Sequence, residues 1–212
     1  MKPILLVDDH TIVREGIIRL LRELLKPTPE FHEAADGQQA LELLMAGDYA
    51  LVLLDISLSG RDGMDVLRQI RQMRPKLPVI MLSMHPDAQY AVRAFQSGAC
   101  GYVTKGSASE ELQGAIEKAL SGGRYVTSLQ AELLAEAVGE NQGNASSHKH
   151  LSDREYQFAS MMVSGMTMTE IARQLSLSTK TISTYRARVL EKLQLRTNAD
   201  IVSYWVTHNL SR

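Results

Sequence analysis

Leu51-Val52-Leu53-Leu54 runs without a polar side chain into Asp55, and Ile56-Ser57-Leu58-Ser59-Gly60 follows. An apolar run this short, closed by turn residues, is the pattern of a strand buried on both faces, as in a parallel sheet. Asp55 then stands where the strand leaves the sheet, the edge at which open α/β sheets bind ligands. Alone, such an acid serves equally well as a loop cap or as chemistry. The other strand ends decide between the two.

Three more runs read as strands, Ile4–Val7 before Asp8-Asp9, Val79–Ser83 and Gly101–Lys105, and Phe31–Ala34 is a short, poorly marked fourth. Helical periods separate them. Val13, Ile17, Leu20, Leu21 and Leu24 recur at three and four residues, and Pro27 and Pro29 end that helix. Asp36 caps a helix from Gly37 to about Ala46, with Ala40, Leu41, Leu44 and Met45 on one face. Further helices are expected from about Met64 to Met73, from Asp87 to Ser97 and from Ser109 to Leu120. Five strands alternating with five helices predict a parallel sheet with helices on both faces and right-handed crossovers.

If the first strand is central, as in the flavodoxin-like order, the strand ends converge on one pocket. They bring Asp8 and Asp9, Asp55, Ser83 and Lys105. Three neighbouring carboxylates repel one another unless a proton or cation neutralises them. All-oxygen ligands select a hard ion such as Mg²⁺. A lysine and a hydroxyl at the same edge supply the charge and the donor that phosphoryl oxygens need. The pocket predicts phosphoryl transfer to a carboxylate.

This constellation, over residues 3–121, resembles the receiver domain of bacterial two-component response regulators. The resemblance implies Asp55 as phosphoryl acceptor from a sensor histidine kinase, and Mg²⁺ held by Asp9, Asp55 and the backbone carbonyl of Ser57, with Asp8 acting through water. It implies Lys105 on a phosphate oxygen, Ser83 on another, and Tyr102 as an aromatic switch that turns inward when the hydroxyl moves. Leu58-Ser59 and Gly106 stand where family members often carry Met-Pro and proline. Neither change removes a chemical group.

Charge divides the chain. Residues 148–212 hold nine Lys and Arg against five acids; the remaining residues hold 14 against 19, out of totals of 23 and 24. An acidic first module and a basic second one suggest different partners. Between them, Gln130–Val138 reads as a short helix and Gly139–Ser147 as a flexible tether. His148-Lys149-His150 reads as a solvated loop. The expected divisions are 1–121, a linker 122–147, and 148–212.

The second module opens on a capping box, Ser152 with Glu155, and repeats it at Thr167 with Glu170. A short helix, the turn Ser176-Leu177-Ser178 and a longer helix from Thr179 to Leu193 form a helix-turn-helix, with a further helix from Asn198 carrying Ile201, Val202 and Trp205. The outer face of the longer helix holds Lys180, Ser183, Thr184, Ala187 and Arg188, flanked by Arg186 and Lys192. Short polar side chains suit base edges and basic margins suit phosphates. Leu151-Ser152-x-Arg154-Glu155, Thr169-Glu170-Ile171-Ala172, Ser178-x-x-Thr181-Ile182 and Lys192-Leu193 resemble the four-helix DNA-binding domain of NarL/LuxR-type regulators. That resemblance implies base contacts at Ser183, Thr184 and Ala187, with Thr181 on the same DNA-facing helix, and dimer contact through the last helix. Tyr185 stands where histidine is frequent.

The expected protein is a flavodoxin-like (βα)5 receiver followed by an all-α four-helix helix-turn-helix domain. It is expected to be a cytoplasmic regulator of promoter DNA, dimeric when phosphorylated. No apolar run reaches the roughly 20 residues of a membrane span, Met1-Lys2-Pro3 leads into a strand with no secretory signal, and the single Cys100 excludes an internal disulfide. Two other readings fit parts of the pattern. One is a DNA-binding regulator indifferent to phosphate. The other is an aspartyl-phosphate phosphohydrolase, though Ser57 occupies the place where such enzymes carry a second acid.

Overall fold

Five parallel strands form one sheet in the order β2-β1-β3-β4-β5. They are β1 (Ile4–Val7), β2 (Phe31–Ala34), β3 (Leu51–Asp55), β4 (Val79–Ser83) and β5 (Gly101–Thr104). Helices α1 (Thr11–Leu24), α2 (Gly37–Ala46), α3 (Gly63–Met73), α4 (Ala88–Gln96) and α5 (Ser109–Leu120) follow the strands in turn. The computed structural model describes residues 2–59, 62–84, 88–107, 109–139, 147–208 and 210. The chain divides into two compact units, Met1–Ala131 and Glu132–Arg212.

Every residue of β1, β3 and β4 is buried, which is why these strands read as unbroken apolar runs. One face of the sheet (Ile4, Leu6, Leu51, Leu53, Ile80, Leu82 and Val103) packs on Ile18 and Leu21 of α1 and on Leu112, Ala115, Ile116 and Ala119 of α5. A Leu-to-Ala change in such a core costs about 2–5 kcal/mol. The strands pair in step: Val7 lies opposite Leu54, Asp55 opposite Leu82, and Ser83 opposite Thr104. Side chains just beyond these pairs therefore stand at one height along one edge. The middle strand is β3; β1 is interior, beside it.

Several local expectations shift. The inner stripe of α1 is Arg14, Ile18 and Leu21, while Val13, Ile17, Leu20 and Leu24 lie at its margins. Met45 is exposed, because it stands a further step round the helix from Leu44. Asp87, the expected start of α4, lies outside the described residues, as do 140–146 of the expected tether. Residues 122–131, expected within the linker, are packed on the first unit: the Tyr125 amide donates to Cys100 O at 2.8 Å, and Tyr125 packs against the core. Helix α6 spans Ser128–Gly139, and a 3₁₀ turn at Ser147–His150 replaces the expected loop.

The second unit contains α7 (Asp153–Val163), α8 (Met168–Gln174), α9 (Thr179–Leu193) and α10 (Asn198–Thr207). Ser152/Glu155 and Thr167/Glu170 form both expected capping boxes, and Thr197/Asp200 forms a third. Ser178 caps α9. The core joins Tyr156, Phe158, Ile171, Leu175, Ile182, Val189, Ile201 and Trp205, all buried, with the Tyr156 and Trp205 rings 5.4 Å apart. Ser176 turns the chain between α8 and α9 at φ 52°, a left-handed conformation uncommon outside glycine.

Candidate functional site

Asp8, Asp9, His10 and Asp55 each present one ligand atom within 4.8 Å of the others. Asp8 and Asp55 are buried at 0% and 1% exposure. Lys105 Nζ lies 2.5 Å from Asp8 Oδ2 and 2.8 Å from Asp55 Oδ2. One ammonium thus faces two buried carboxylates, leaving a net negative pocket.

The backbone fixes the acids. His10 N–H donates to Asp8 Oδ1 at 2.8 Å, Ser59 N–H to Asp9 Oδ2 at 2.9 Å, and Ser57 N–H to Asp55 Oδ1 at 3.1 Å. His10 Nδ1 stands 2.7 Å from Asp9 Oδ1. The buried oxygens Asp8 Oδ2, Asp9 Oδ1 and Asp55 Oδ2 accept no hydrogen bond of proper geometry. Lys105 and His10 meet these oxygens as ion-pair contacts at 2.5 to 2.8 Å. Unsatisfied buried carboxylate oxygens converging on one point fit a hard divalent cation.

Burial pushes the Asp55 carboxyl above its usual pKa; Lys105 pulls it back, and the Asp8 charge adds to the rise. Burial opposes the Lys105 charge, but Asp55 and Asp8 together outweigh it and raise that pKa.

Ser83 and Tyr102 are both buried, at the end of β4 and within β5. Lys105 N–H donates to Ser83 O at 2.7 Å, tying the lysine's backbone to the hydroxyl-bearing residue. Cys100 is structural: its thiol donates to Val79 O at 3.2 Å, and burial pushes its pKa up.

Three residues of the site were missed in the sequence. His10 follows the acid pair directly. Arg14 sends Nη1 to Asp8 O at 2.7 Å and Nε to Glu33 Oε2 at 2.9 Å, clamping the end of β1. Its signal was a cation in the inner stripe of α1. Gly63 lets α3 begin against the end of β3: a Cβ there would stand 2.1 Å from Asp55 O.

On α9, Lys180, Ser183, Thr184, Ala187 and Arg188 are exposed. Lys192 is exposed as well, and Thr181 and Arg186 are half-buried; these three bond to residues outside the turns of α9 that carry the first five. Thr181 N–H donates to the Ser178 cap, Arg186 Nε to Asn198 Oδ1 at 2.6 Å, and Lys192 Nζ to Glu155 Oε2 at 2.6 Å.

A parallel α/β sheet with an acid–lysine pocket at its carboxyl edge, followed by a helix-turn-helix unit, defines a phosphoacceptor-type domain joined to a DNA-binding-type one. Comparison with known proteins agrees. Residues 4–117 match the response regulator receiver domain, and residues 149–205 match the bacterial regulatory proteins of the luxR family. The chain is 35% identical over 207 residues to the response regulator UvrY of Escherichia coli O6:H1, covering 98% of this chain and 94% of that one. It is 32% identical over 210 residues to the response regulator GacA of Pseudomonas aeruginosa, covering 99% and 98%. RcsB of Salmonella enterica serovar Typhimurium, solved bound to the promoter rprA with a phosphomimetic, shares the fold at TM-score 0.62 and 24% identity, covering 100% of this chain and 98% of that one. The chain belongs to the response regulators that join a receiver domain to a luxR-type DNA-binding domain. Among the described residues, no helix is long and apolar enough to cross a membrane.

Proposed function

We propose that Asp55 accepts a phosphoryl group from the phosphohistidine of a sensor histidine kinase, and that this modification governs pairing of the chain and its binding to promoter DNA in the cytoplasm. The observation that carries the reading is the pair of contacts from Lys105 to Asp8 and Asp55. A carboxylate and a cation are already poised together, inside a pocket with unsatisfied acidic oxygens.

In the transfer, an Asp55 carboxylate oxygen forms the new bond to phosphorus. The phosphorus–nitrogen bond to the kinase imidazole breaks, and that imidazole leaves with the electron pair. Lys105 pairs with a phosphoryl oxygen, and the Ser83 hydroxyl donates to another. Asp8, Asp9, Asp55 and the Ser57 carbonyl would hold Mg²⁺, which when bound neutralises charge on the phosphoryl oxygens. Asp55 releases the group to water in time, so the chain acts as a self-resetting acceptor. Ser83 engaging the phosphate frees space that the Tyr102 ring takes up.

On the output side, Lys180, Ser183, Thr184, Ala187 and Arg188 meet duplex DNA, with cations on phosphates and short side chains toward base edges. Thr181, Arg186 and Lys192 hold the helix that presents them. Val202 and Val206 are exposed apolar residues on α10 and supply a pairing surface for a homodimer.

Incubation with acetyl phosphate and Mg²⁺ tests the acceptor. The wild type gains one phosphoryl group by intact-mass measurement and Asp55→Asn gains none. Equal labelling of the two overturns the assignment.

A further inference from the structure

Edge strand β5 has backbone groups that its single sheet neighbour does not satisfy, and the chain beyond α5 returns to them. Tyr125 N–H bonds Cys100 O at 2.8 Å. Five residues later, Gln130 Nε2 donates to Tyr102 O at 3.3 Å. Gln130 is only 8% exposed, unusual for a glutamine in the first turn of a helix.

The same side chain has a second task. Its Oε1 accepts from Thr127 N–H at 3.1 Å, while Gln130 N–H donates to Thr127 Oγ1 at 3.3 Å. That is a capping box closing the start of α6. The two partners fix the orientation of the amide, because Thr127 N–H can only donate and Tyr102 O can only accept. Glutamate would serve the cap but not the carbonyl. Only an amide of this length does both.

We infer that Gln130 is the positioning residue through which the state of Asp55 reaches helix α6. This rests on the acceptor reading above. Along one short stretch, Tyr102 O is gripped by Gln130, and three residues on, Lys105 is gripped by Asp8 and Asp55. A phosphoryl group on Asp55 recruits Lys105 and the Ser83 hydroxyl, and Lys105 N is bonded to Ser83 O. The backbone of β5 cannot adjust to that change without loading or releasing the Gln130 amide. The amide in turn sets whether the first turn of α6 is closed. Helix α6 then runs across the 131/132 division between the units.

The test uses the full chain, acetyl phosphate and Mg²⁺, with three readouts: phosphoryl gain by mass, hydrogen exchange of amides 129–135, and the ratio of DNA Kd without and with phosphorylation. In the wild type, phosphorylation alters exchange in that segment, and the Kd ratio lies in the range of about 5- to 150-fold that is usual for coupled sites. Gln130→Glu keeps the cap and places an acceptor against Tyr102 O. It is labelled as fully as wild type, but its exchange no longer responds and its Kd ratio falls to about 1. Thr127→Ala loses only the hydroxyl that accepts from Gln130 N–H; the Gln130 amide keeps both its bonds, from the backbone N–H of residue 127 and to Tyr102 O, and the variant retains the response. Gln130→Met, apolar and of similar length, matches Gln130→Glu and covers the case in which the buried charge prevents folding.

A wild-type response in Gln130→Glu or Gln130→Met overturns the inference. So does an equal loss in Thr127→Ala, which would make the Thr127 hydroxyl, and not the Gln130 amide, the cause. A wild type that is labelled without any response overturns it too, with the acceptor reading intact. A wild type that is not labelled removes the acceptor reading, and this inference with it.

Discussion

A Cβ on Gly63 would stand 2.1 Å from the carbonyl oxygen of Asp55 and 2.8 Å from the Ile56 Cα. The first residue of α3 therefore presses its backbone against the end of β3, and Gly63 N–H bonds Ile56 O at 3.0 Å. Both neighbours are backbone and cannot swing aside. Gly63→Ala must push α3 away from β3 or shift Asp55. Overpacking of this kind costs about 1–3 kcal/mol. Thermal unfolding of Gly63→Ala should show a lowered Tm, and labelling by acetyl phosphate should slow with it. A variant as stable as wild type would show that the contact relaxes freely.

Lys105 is the cation that makes two buried carboxylates tolerable. Lys105→Met removes it and leaves Asp8 and Asp55 facing each other with no compensating charge. Breaking one partner out of a buried ionic cluster costs about 3–5 kcal/mol. Without the lysine the raised pKa of Asp55 rises further, so its folded value exceeds its unfolded value by more. A carboxyl raised in this way destabilises the fold above its unfolded pKa, and lowering the pH relieves the loss. The instability of Lys105→Met should therefore shrink in acid and shrink on adding Mg²⁺. Urea unfolding at two pH values, with and without the ion, measures both.

Glu155 serves the second unit in a comparable way. Burial pushes its carboxyl up, but the bonds from Lys192 and from the Ser152 backbone outweigh that and hold its pKa below the usual 4.5. A depressed folded pKa contributes stability that is present above the unfolded value and is lost as pH falls through the folded one. Stability of the second unit should therefore decline from about pH 4.5 downward. Glu155→Gln keeps a capping side chain at that position but gives up the charge. It should lose about 1.5–3 kcal/mol at neutral pH and show a flatter acid decline. Denaturant titrations across pH read both effects.

These residues mark how far local pattern carries. The strands, the Asp36 cap and the Ser152 and Thr167 boxes were legible because each depends on neighbours within four residues. The cluster of Asp8, Asp9, Asp55 and Lys105 was legible because parallel strands all end at one edge, so that strand-end identity becomes position. Gly63 was not, since the atoms it avoids belong to another element. Arg14 was read past because a cation in an apolar stripe looks like a break in the pattern until Asp8 O and Glu33 are brought to it. Gln130 marks only the start of the expected short helix in the sequence, because its partner lies 28 residues back. Lys192 was grouped with the DNA-facing cations because its pairing with Glu155, 37 residues away, has no local signature.

That last distinction has a measurable consequence on DNA. Lys180, Arg188 and Lys192 are all exposed on α9, but only the Lys192 ammonium among them bonds Glu155, at 2.6 Å, and His150 O, at 3.2 Å. A cation free to meet a phosphate releases a counterion, and its loss lowers the salt dependence of binding by about one unit of slope. Lys180→Ala and Arg188→Ala should each weaken binding and flatten the plot of log K against log salt by that amount. Ser183 and Thr184 direct their hydroxyl protons to Thr179 O and Lys180 O, so neither stands in for the lost charge. Lys192→Ala should leave the slope unchanged and instead lower the Tm of the second unit, because it abandons the buried Glu155. Fluorescence anisotropy on one duplex over a salt series, run well below each variant's Tm, separates the two classes. A slope loss in Lys192→Ala equal to that of Lys180→Ala would move Lys192 from the scaffold to the DNA face.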